Sequence, residues 1–312
     1  MKESIDIISK ILDNVDKVIV GKRKTAELVL ISLICDGHVL IEDVPGVGKT
    51  AMVSAISKSI NASFKRVQFT PDVLPSDITG FSVFNQKLNE FEYRPGVIMC
   101  NILLADEINR TSPKTQSSLL EAMEENQVTV DGKTYKIPKP FFVLATQNPI
   151  EYQGTHPLPE AQMDRFFMRV SLGYPLPDEE CTILVKYKTE NPIDTLESVA
   201  TVQDILTIQR HVKEIDVDPS LNEYIVGIMN RTRNHPDVIL GASPRGSMYL
   251  YRAAQAVALL NNRPYVIPDD IKKIFIPVLS HRLTLKQEAK LKKTTTDEVL
   301  AGIINTTKVP VF

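Results

Sequence analysis

The sequence predicts an α/β fold in which a parallel sheet, covered by helices on both faces, is followed by a smaller all-helical domain. Short, continuous apolar segments alternate with helical patterns through the first 175 residues, which is typical of parallel sheets buried on both faces. A Pro-rich segment, LGYPLPD, interrupts this pattern at 172–178. Beyond it, apolar residues recur almost only at helical spacing. We therefore assign residues 1–175 to an αβα core and residues 178–312 to a helical domain.

The core is predicted to begin with an amphipathic helix and to contain five strands. Apolar residues at positions 8, 11, 12 and 15 have helical spacing. The predicted strands are the apolar segments at 39–42, 64–69, 102–105, 141–145 and 168–172. The predicted helices of the second domain cover 202–212, 220–233, 243–260 and 268–279. The Lys/Thr-rich segment after about Lys286 gives no clear element.

Two segments of the core read as β-hairpins inserted between these elements. Aromatic and β-branched residues flank Asn89-Glu90 within about 79–95. In the second segment, about 127–137, the pair Asp131-Gly132 separates two short β-favouring runs, which is a strong signal for a two-residue hairpin turn.

Composition and charge bound the class of protein. The 312 residues carry a formal net charge of -2, so the chain as a whole lacks the basic surplus of a nucleic-acid-binding protein. Its three cysteines have no metal-site spacing, and Cys35 and Cys100, which lie in apolar runs, fit buried free thiols in a reducing compartment. The N-terminus lacks the order of a signal peptide, and the longest apolar run, at 28–35, is shorter than the ~20 residues of a membrane-spanning helix. These features predict a cytoplasmic protein.

A phosphate-binding loop is predicted between the first strand and the next helix. The segment DVPGVGKT at 43–50 follows an apolar strand and opens a helix, the context that gives a Walker A motif its meaning. Glycines allow backbone N–H groups to surround phosphate, Lys49 would reach the outer phosphates of ATP, and Thr50 would bind Mg²⁺. One departure from the motif is Asp43, which replaces its first glycine. The candidate nucleotide-binding residues of this segment are Asp43, Val44, Pro45, Gly46, Val47, Gly48, Lys49, Thr50 and Ala51.

Two acidic residues follow the third apolar strand. Asp106 and Glu107 would lie at the carboxyl edge of the sheet, where open α/β sheets bind ligands. In isolation such a pair is more often a plain strand end. After a phosphate loop, Asp106 fits a second Mg²⁺-binding position and Glu107 a general base that activates water.

Three further polar residues complete the candidate site. Asn148 follows the next strand, so it could position the attacking water, although Asn before Pro is by itself only a turn signal. Arg165 lies at the end of the core, and Arg245 follows Ser243-Pro244 at the start of a helix in the second domain. An unplaced arginine is by default a surface charge. Arginines that contact ATP on a neighbouring subunit are nevertheless common in motor proteins.

These motifs together resemble the AAA+ superfamily, and three segments narrow the resemblance to its MoxR family. The segments are FTPDVLPSDITG at 69–80, DEINR at 106–110 and LPEAQMDRF at 158–166. The resemblance extends from about Val18 to about Arg282. It implies an αβα core with a helical lid, assembled as a homo-oligomer, usually a hexameric ring with Mg·ATP between subunits.

The resemblance also implies roles for individual residues. Asn148 matches sensor 1, Arg165 the arginine finger that acts on the neighbouring subunit, and Arg245 sensor 2 on the lid. Arg110 is a second candidate for an interface contact. The segment containing Val20 and Gly21 is similar to the one that packs on adenine in the family. The two predicted hairpins resemble the helix-2 insert and the pre-sensor-1 hairpin, which face the ring pore in related machines.

The function predicted from these observations is Mg²⁺-dependent hydrolysis of ATP, with Lys49, Arg165 and Arg245 neutralising charge and the lid moving against the core. MoxR relatives remodel or mature protein complexes, often with a partner that carries a von Willebrand factor A domain. One alternative is a nucleic-acid motor, since three lysines lie on or beside the second hairpin, but the acidic balance argues against it. The lysines are Lys133, Lys136 and Lys139. Another alternative, a chelatase-type subunit, would need a separate porphyrin-binding subunit.

Overall fold

The computed structural model describes residues 1–148, 154–188 and 191–310. Its centre is a five-stranded sheet of order β2-β5-β8-β1-β9, in which every neighbouring pair is parallel. Three two-stranded antiparallel pairs, β3–β4, β6–β7 and β10–β11, lie outside it. The strands are β1 (Val39–Glu42), β2 (Phe64–Gln68), β3 (Gly80–Asn85), β4 (Glu90–Pro95), β5 (Ile102–Asp106), β6 (Gln127–Val130), β7 (Lys133–Lys136), β8 (Phe142–Gln147), β9 (Met168–Val170), β10 (Val238–Leu240) and β11 (Thr284–Leu285).

Helices cover both faces of the sheet and make up most of the second half of the described chain. Two short 3₁₀ turns, at Ile108–Arg110 and Ser280–Arg282, add to the α-helices. The α-helices are α1 (Lys2–Val18), α2 (Arg23–Ile34), α3 (Lys49–Ser59), α4 (Pro75–Thr79), α5 (Pro113–Glu125), α6 (Glu160–Met163), α7 (Pro177–Lys186), α8 (Val202–Lys213), α9 (Pro219–Arg233), α10 (Pro244–Leu260), α11 (Pro268–Leu279), α12 (Gln287–Leu291) and α13 (Thr296–Thr306). None of the described helices is long and apolar enough to cross a membrane.

Alternate residues of the strands enter two separate cores. On one face, Leu104 and Leu144 pack with α1, α2 and α3, and the same apolar cluster continues into α8–α11 of the lid. On the other face, Leu103 and Val143 pack beneath α5. Because successive strand side chains point to opposite faces, the continuous apolar runs of the sequence supply both cores at once.

The hairpins and main helices agree with the sequence predictions. The predicted β-hairpins are confirmed as β3–β4 and β6–β7, with Val130 opposite Lys133 across Asp131-Gly132. The four predicted helices of the second domain correspond to α8, α9, α10 and α11. The structure adds α7, α12 and α13, which the apolar spacing did not predict. In the C-terminal segment, α13 has only a short apolar stripe, of which Val299, Leu300 and Ile303 are buried.

The last strand of the sheet ends two residues earlier than predicted, and a side chain explains the difference. The prediction extended it to Leu172, whereas β9 ends at Val170. The backbone N–H groups of Leu172 and Gly173 donate to the Asp43 carboxylate instead of a neighbouring strand. A buried N–H group requires an acceptor, and here the acceptor is the residue that departs from the Walker A motif.

A buried ion pair connects the lid to the core. Arg282 donates from Nε to Asp164 Oδ1 at 2.9 Å, and its side chain is 1% exposed. Asp164 also accepts a hydrogen bond from Ser243 Oγ at 2.8 Å. Burial lowers the pKa of Arg282 to about 10, and the nearby Asp164 charge opposes that shift. Asp164 therefore holds both ends of the lid segment that begins at α10 and ends after α11.

Candidate active site

The phosphate loop has the backbone geometry that its glycines predict. Gly46 and Gly48 have φ values of +84° and +93°, which residues with a Cβ rarely adopt. A Cβ on Gly46 would meet nothing within 4 Å, so the loop is open at this point. Gly48 is the N-cap of α3 and provides no side-chain acceptor for the N–H groups of the first turn. Such unpaired N–H groups and the positive end of the helix dipole favour a bound phosphate.

Asp43 fixes the base of this loop rather than lining it. Its side chain is buried and is committed to Leu172 and Gly173. Its backbone oxygen accepts a hydrogen bond from Lys49 Nζ at 3.1 Å. The ammonium group of Lys49 therefore folds back over the loop, at the position from which it can reach a phosphate.

An apolar cleft of about 260 Å³ adjoins the phosphate loop. Its walls come from the end of α1 and the segment after it, the phosphate loop, and α7. The residues that line it are Val18, Ile19, Val20, Lys22, Gly46, Val47, Gly48, Ala51, Pro175, Ile183 and Tyr187. A flat, apolar purine base fits these walls. Gly21 has a φ of +75°, which disfavours residues with a Cβ, and the Glu179 carboxylate of α7 occupies the space that such a Cβ would need.

The first acid, Asp106, ends β5 at the carboxyl edge of the sheet, where β8 separates it from β1 and the phosphate loop. Its carboxylate accepts a hydrogen bond from Thr146 Oγ1 at 2.6 Å and forms an ion pair with Arg66 at 2.7 Å. Thr146 is fully buried on β8, so it aligns Asp106 with the neighbouring strand. Arg66 is half-exposed on β2 and can withdraw into solvent.

The second acid, Glu107, has an unusual backbone conformation. Its φ is +57°, a left-handed value that is uncommon outside glycine and costs about 1 kcal/mol or more. The carboxylate accepts hydrogen bonds from Gln68 Nε2 at 2.6 Å and from Arg110 Nη1 at 2.8 Å. Its backbone N–H donates to Thr146 Oγ1 at 2.9 Å. Strain at a polar residue on the edge of the sheet is typical of a functional position.

Asn148 and Thr50 lie on the same edge of the sheet. Asn148 follows β8, where Gln147 is in register with Glu42, so the residue after β8 lies beside the start of the phosphate loop. Its side chain is buried. Pro149, the next residue of the predicted turn, lies outside the described residues. Thr50 is the second residue of α3.

The residues present fit a nucleotide-bound Mg²⁺ ion. Among the described residues there is no cluster of three or more His, Cys, Asp or Glu side chains that could hold a metal. A hydroxyl at Thr50, a carboxylate at Asp106 and an open phosphate loop fit Mg²⁺, because this ion takes few protein ligands and completes its shell with phosphate oxygens and water.

Arg165 and Arg245 lie together elsewhere in the molecule. Both form ion pairs with Glu124 of α5, Arg165 at 3.3 Å. They line a small polar cavity with Asp36 and His38, the residues that precede β1. Two guanidinium groups therefore share one carboxylate, and both side chains remain 28–30% exposed. An anionic ligand that reached this point could replace Glu124 as the partner of both arginines.

The two groups of residues occupy opposite ends of the sheet. The arginine cavity adjoins the start of β1, and the phosphate loop follows its end. Four residues of strand separate them, which is about 13 Å at 3.3 Å per residue. The structure thus brings together Lys49, Asp106, Glu107 and Asn148, and it separates Arg165 and Arg245 from the Lys49 of the same chain. Arg245, which the resemblance matches to sensor 2, therefore lies away from the phosphate loop of its own chain.

His38 stabilises the amino end of the sheet in its neutral form. Its Nε2 lies 3.1 Å from the backbone oxygen of Met123, and its Nδ1 accepts the N–H of Val143 at 3.1 Å. The carbonyl partner requires the proton to be on Nε2. Burial lowers the pKa of His38, with partial compensation by the Met123 carbonyl.

Sequence reasoning missed several residues of the site. Arg66, Gln68 and Thr146 contact the acids from adjacent strands, and only the strand register, such as Gln68 opposite Asp106, reveals this. Ile183 of α7 and Tyr187, the residue that follows α7, line the cleft. Their four-residue spacing is a helical signal, but the preceding Pro-rich segment was interpreted as a linker.

Comparisons with known proteins agree with this geometry. A model of the ATPase family associated with various cellular activities (AAA) matches residues 38–168. A model of the AAA lid domain matches residues 230–303.

Individual relatives match almost the entire chain. The chain is 56% identical over 305 residues to the uncharacterized protein YeaC of Bacillus subtilis, covering 98% of this chain and 95% of that protein. It is 38% identical over 315 residues to the chaperone MoxR1 of Mycobacterium tuberculosis, covering 98% of this chain and 83% of the relative. The crystal structure of a Cytophaga hutchinsonii protein assigned as an ATPase superposes with a TM-score of 0.93 at 37% identity, covering 99% and 97% of the two chains.

Proposed function

The chain belongs to the MoxR family of AAA+ ATPases, and on that premise we propose that it hydrolyses Mg·ATP as a hexameric ring that remodels or matures partner protein complexes. The observation that carries the proposal is the separation of the catalytic groups. Lys49 and the acids lie at one end of the sheet, whereas Arg165 and Arg245 lie at the other. A complete site then requires two chains.

In this proposal the nucleotide binds along the edge of β1. The adenine enters the apolar cleft between Val20-Gly21 and α7, and the phosphates lie on the loop between Gly46 and Thr50. Lys49 leaves the Asp43 backbone oxygen for the outer phosphates. The N–H groups of the first turn of α3 hold phosphate oxygens in place, so the γ-phosphorus is fixed in position before the reaction.

Hydrolysis then proceeds by in-line attack of water on the γ-phosphorus. Bound Mg²⁺ supplies neutralisation of phosphate charge, with Thr50 and Asp106 as the residues that would hold it. Glu107 orients the water and accepts its proton, and Asn148 fixes the water from the adjacent strand. Before this, Glu107 must exchange its hydrogen bonds with Gln68 and Arg110 for one with water.

The neighbouring subunit contributes the positive charge that this site lacks. Arg165 and Arg245 share Glu124 in the single chain and are partly exposed. A γ-phosphate presented by the next subunit competes with Glu124 for both guanidinium groups. Since Arg245 belongs to the lid and Arg165 to the core, loss of the γ-phosphate releases both domains at once.

The exposed β3–β4 hairpin supports a protein as the object of this motion. Phe81, Phe84 and Phe91 are 50%, 46% and 69% exposed, and rigid aromatic side chains contribute strongly to contacts with proteins. We propose that the hairpin contacts the remodelled protein in the cytoplasm, with a von Willebrand factor A domain protein as the candidate partner. Stimulation of ATPase activity by DNA, rather than by such a protein, would favour the nucleic-acid motor instead.

The experiment that tests the proposal is the rate of Mg²⁺-dependent ATP hydrolysis per subunit over a wide range of protein concentration. We expect the specific rate to rise steeply and then level as rings form, and to vanish without Mg²⁺. A specific rate that stays constant down to concentrations where light scattering shows monomers would contradict a site completed between chains.

A further inference from the structure

The outer face of α7 is apolar, exposed and unpartnered in the single chain. Leu184 and Val185 are 71% and 74% exposed. Glu180 and Cys181 lie one turn before them and are also exposed. Residues four apart lie on the same side of a helix, so these four residues form one surface, which we call the α7 outer face. The opposite side of the same helix carries Ile183, which lines the nucleotide cleft.

A second apolar surface lies on the lid between α9 and α10. Val226 and Met248 are 51% and 63% exposed and line the same groove of the lid. With Asn222, Tyr251 and Arg252 they line a groove of about 300 Å³, which we call the lid groove. Apolar side chains of this size, exposed together and rimmed by polar groups, mark interaction sites.

Arg252 gives the lid groove an uncompensated positive charge. Its Nε is buried and has no hydrogen-bond partner within the part of the chain that the structure describes, and the same described residues contain no acid within ion-pair distance of it. Because Arg252 lines the groove and no described acid neutralises it, the groove is complementary to an apolar surface that carries a carboxylate.

The α7 outer face carries that carboxylate. Glu180 begins the face one turn before Leu184, and no described cation lies within ion-pair distance of it. The two surfaces are therefore complementary. Each carries two exposed apolar side chains, and these stand beside an acid on α7 and beside an arginine on the lid, neither of which has an ion-pair partner among the described residues.

Each surface also adjoins one half of the divided active site. Arg252 follows Arg245 by seven residues of α10, about two helical turns, so both lie on nearly the same side of that helix. The α7 outer face lies behind the cleft that holds the base. If Arg245 of one chain approaches the nucleotide of another, the lid groove approaches α7 of that other chain.

We propose that the α7 outer face of one subunit docks in the lid groove of the next, with Glu180 paired to Arg252 and with Leu184 and Val185 packed against Val226 and Met248. This inference rests on the proposed ring. Two different surfaces that fit each other form a head-to-tail interface, which is the kind of interface that a closed ring requires.

The docking gives α7 a role in coupling the subunits. One side of the helix contacts the base through Ile183 and Tyr187, and the other side contacts the lid of the neighbour. A change in nucleotide occupancy that moves α7 therefore moves the neighbouring lid, and with it Arg245.

Charge reversal tests the proposal. We would measure the protein concentration at half-assembly by mass photometry, with Mg²⁺ and a slowly hydrolysed ATP analogue, for wild type, Arg252→Glu, Glu180→Arg and the double variant. Each single reversal is expected to raise this concentration at least ~10-fold, since close charge pairs at interfaces couple by more than about 1.4 kcal/mol. The double variant is expected to return within ~3-fold of wild type. Lys213→Glu, an exposed reversal on α8, is the matched control and should assemble normally.

The outcomes separate this inference from the ring itself. If wild type remains monomeric at every concentration, the proposed function and the docking both fail. If wild type forms rings and the single reversals form them equally well, or the double variant assembles no better than the weaker single one, only the docking is overturned.

Cys181 offers an independent measurement without a change of charge. It is the exposed cysteine of the chain, whereas Cys35 and Cys100 are buried. We expect maleimide to label Cys181 quickly in the dilute monomer and at least ~10-fold more slowly in the ring, because the neighbouring lid covers it. Equal labelling rates in monomer and ring would overturn the docking.

Discussion

The carboxyl and amino ends of the central sheet differ in charge, in exposure and in the way their residues are fixed. At the carboxyl end, Asp106 and Glu107 are held by arginines that are half-exposed, Arg66 and Arg110. At the amino end, Arg165 and Arg245 share a single acid, and behind them lies the buried pair of Asp164 and Arg282.

The ion pairs in these regions differ in how easily a ligand can replace one of the partners. Exposed ion pairs contribute only about 0–1 kcal/mol, so ligands can replace the arginines at the carboxyl end and Glu124 at the amino end. A buried pair with its hydrogen bonds is far harder to break. The chain therefore joins its lid to its core through an ion pair that is hard to break, whereas the groups proposed to contact ATP can change partners.

The largest expected effect comes from removing Arg165, the arginine at the amino end that we propose acts in the active site of the neighbouring subunit. Arg165→Ala should lower kcat at least ~10³-fold, as for arginine fingers in general, while the binding of a fluorescent ATP analogue to the dilute monomer stays unchanged. Lys49→Ala should abolish activity in its own site. If Arg165 acts between chains, mixing the two inactive variants restores activity at about a quarter of the sites. Mixtures that stay inactive would show that both residues must belong to one chain.

The next effect sharpens the contrast between fixed and exchangeable pairs. Arg282→Met should lower the free energy of unfolding in urea by about 3–5 kcal/mol, because it removes a buried guanidinium group and leaves the partly buried Asp164 carboxylate without its charged partner. The matched control, Lys272→Met, breaks the exposed pair with Asp269 and should cost less than about 1 kcal/mol. Combining Arg282→Met with Asp164→Asn should recover part of the loss. Equal losses for the buried and exposed pairs would remove the distinction between the two ends.

A smaller effect is expected at the carboxyl end, where one pair of bonds is not exchangeable. Asp43→Gly matches the Walker A motif better than the natural residue, yet it leaves the N–H groups of Leu172 and Gly173 without an acceptor. At about 1–3 kcal/mol for buried unpaired groups, the Kd for an ATP analogue should rise ~10-fold, because α7 follows this segment and forms a wall of the cleft. Asp131→Asn, an exposed change in the β6–β7 turn, is the control. Tighter binding by Asp43→Gly would contradict this role.

The smallest effect is a pH dependence located at the amino end. Burial lowers the pKa of His38 and of His281 below the ordinary value of 6.5. The unfolded chain therefore binds protons that the folded chain does not, and the free energy of unfolding should decrease below about pH 6.5 and be level above it. Each buried histidine contributes up to about 1.4 kcal/mol for each further pH unit. His38→Gln should reduce the slope in urea titrations between pH 6.5 and 5, and His156→Gln, at an exposed position, should leave it unchanged.

A feature of the fold or of the site could be predicted from the sequence when a few consecutive residues encode it, but not when it depends on which strands are neighbours. The phosphate loop, the acids after β5 and the hairpin at Asp131-Gly132 are each encoded within a few residues, and all three were predicted. The pairing of Arg66 with Asp106 depends on strand order, which no local pattern contains. The position of Arg245 likewise depends on how the lid packs, and the sequence alone did not place it at either end of the sheet.

The Walker A departure shows the same limit at a single position. Asp43 is visible as an exception in the sequence, but its reason lies 129 residues away at Leu172. A motif describes what the ligand requires of a loop. It does not describe what the rest of the protein requires of the same residues.

Asp164 and Arg165 are neighbours in the chain, and we propose that their side chains serve different purposes, one inside the subunit and one at the interface with the next. Asp164 holds the lid of its own subunit, whereas Arg165 faces outward with Glu124. Because one peptide bond joins them, the position of Arg165 is tied to that of Asp164, the residue that holds the lid of the same subunit. Any change in the backbone that moves Asp164 also moves Arg165. If the lid were exchanged for another, the new lid would need a residue that pairs with Asp164 as Arg282 does, so that Arg165 keeps its position. The short segment between α6 and β9 therefore carries one residue that stabilises the fold of the subunit and one that we propose acts in the assembly.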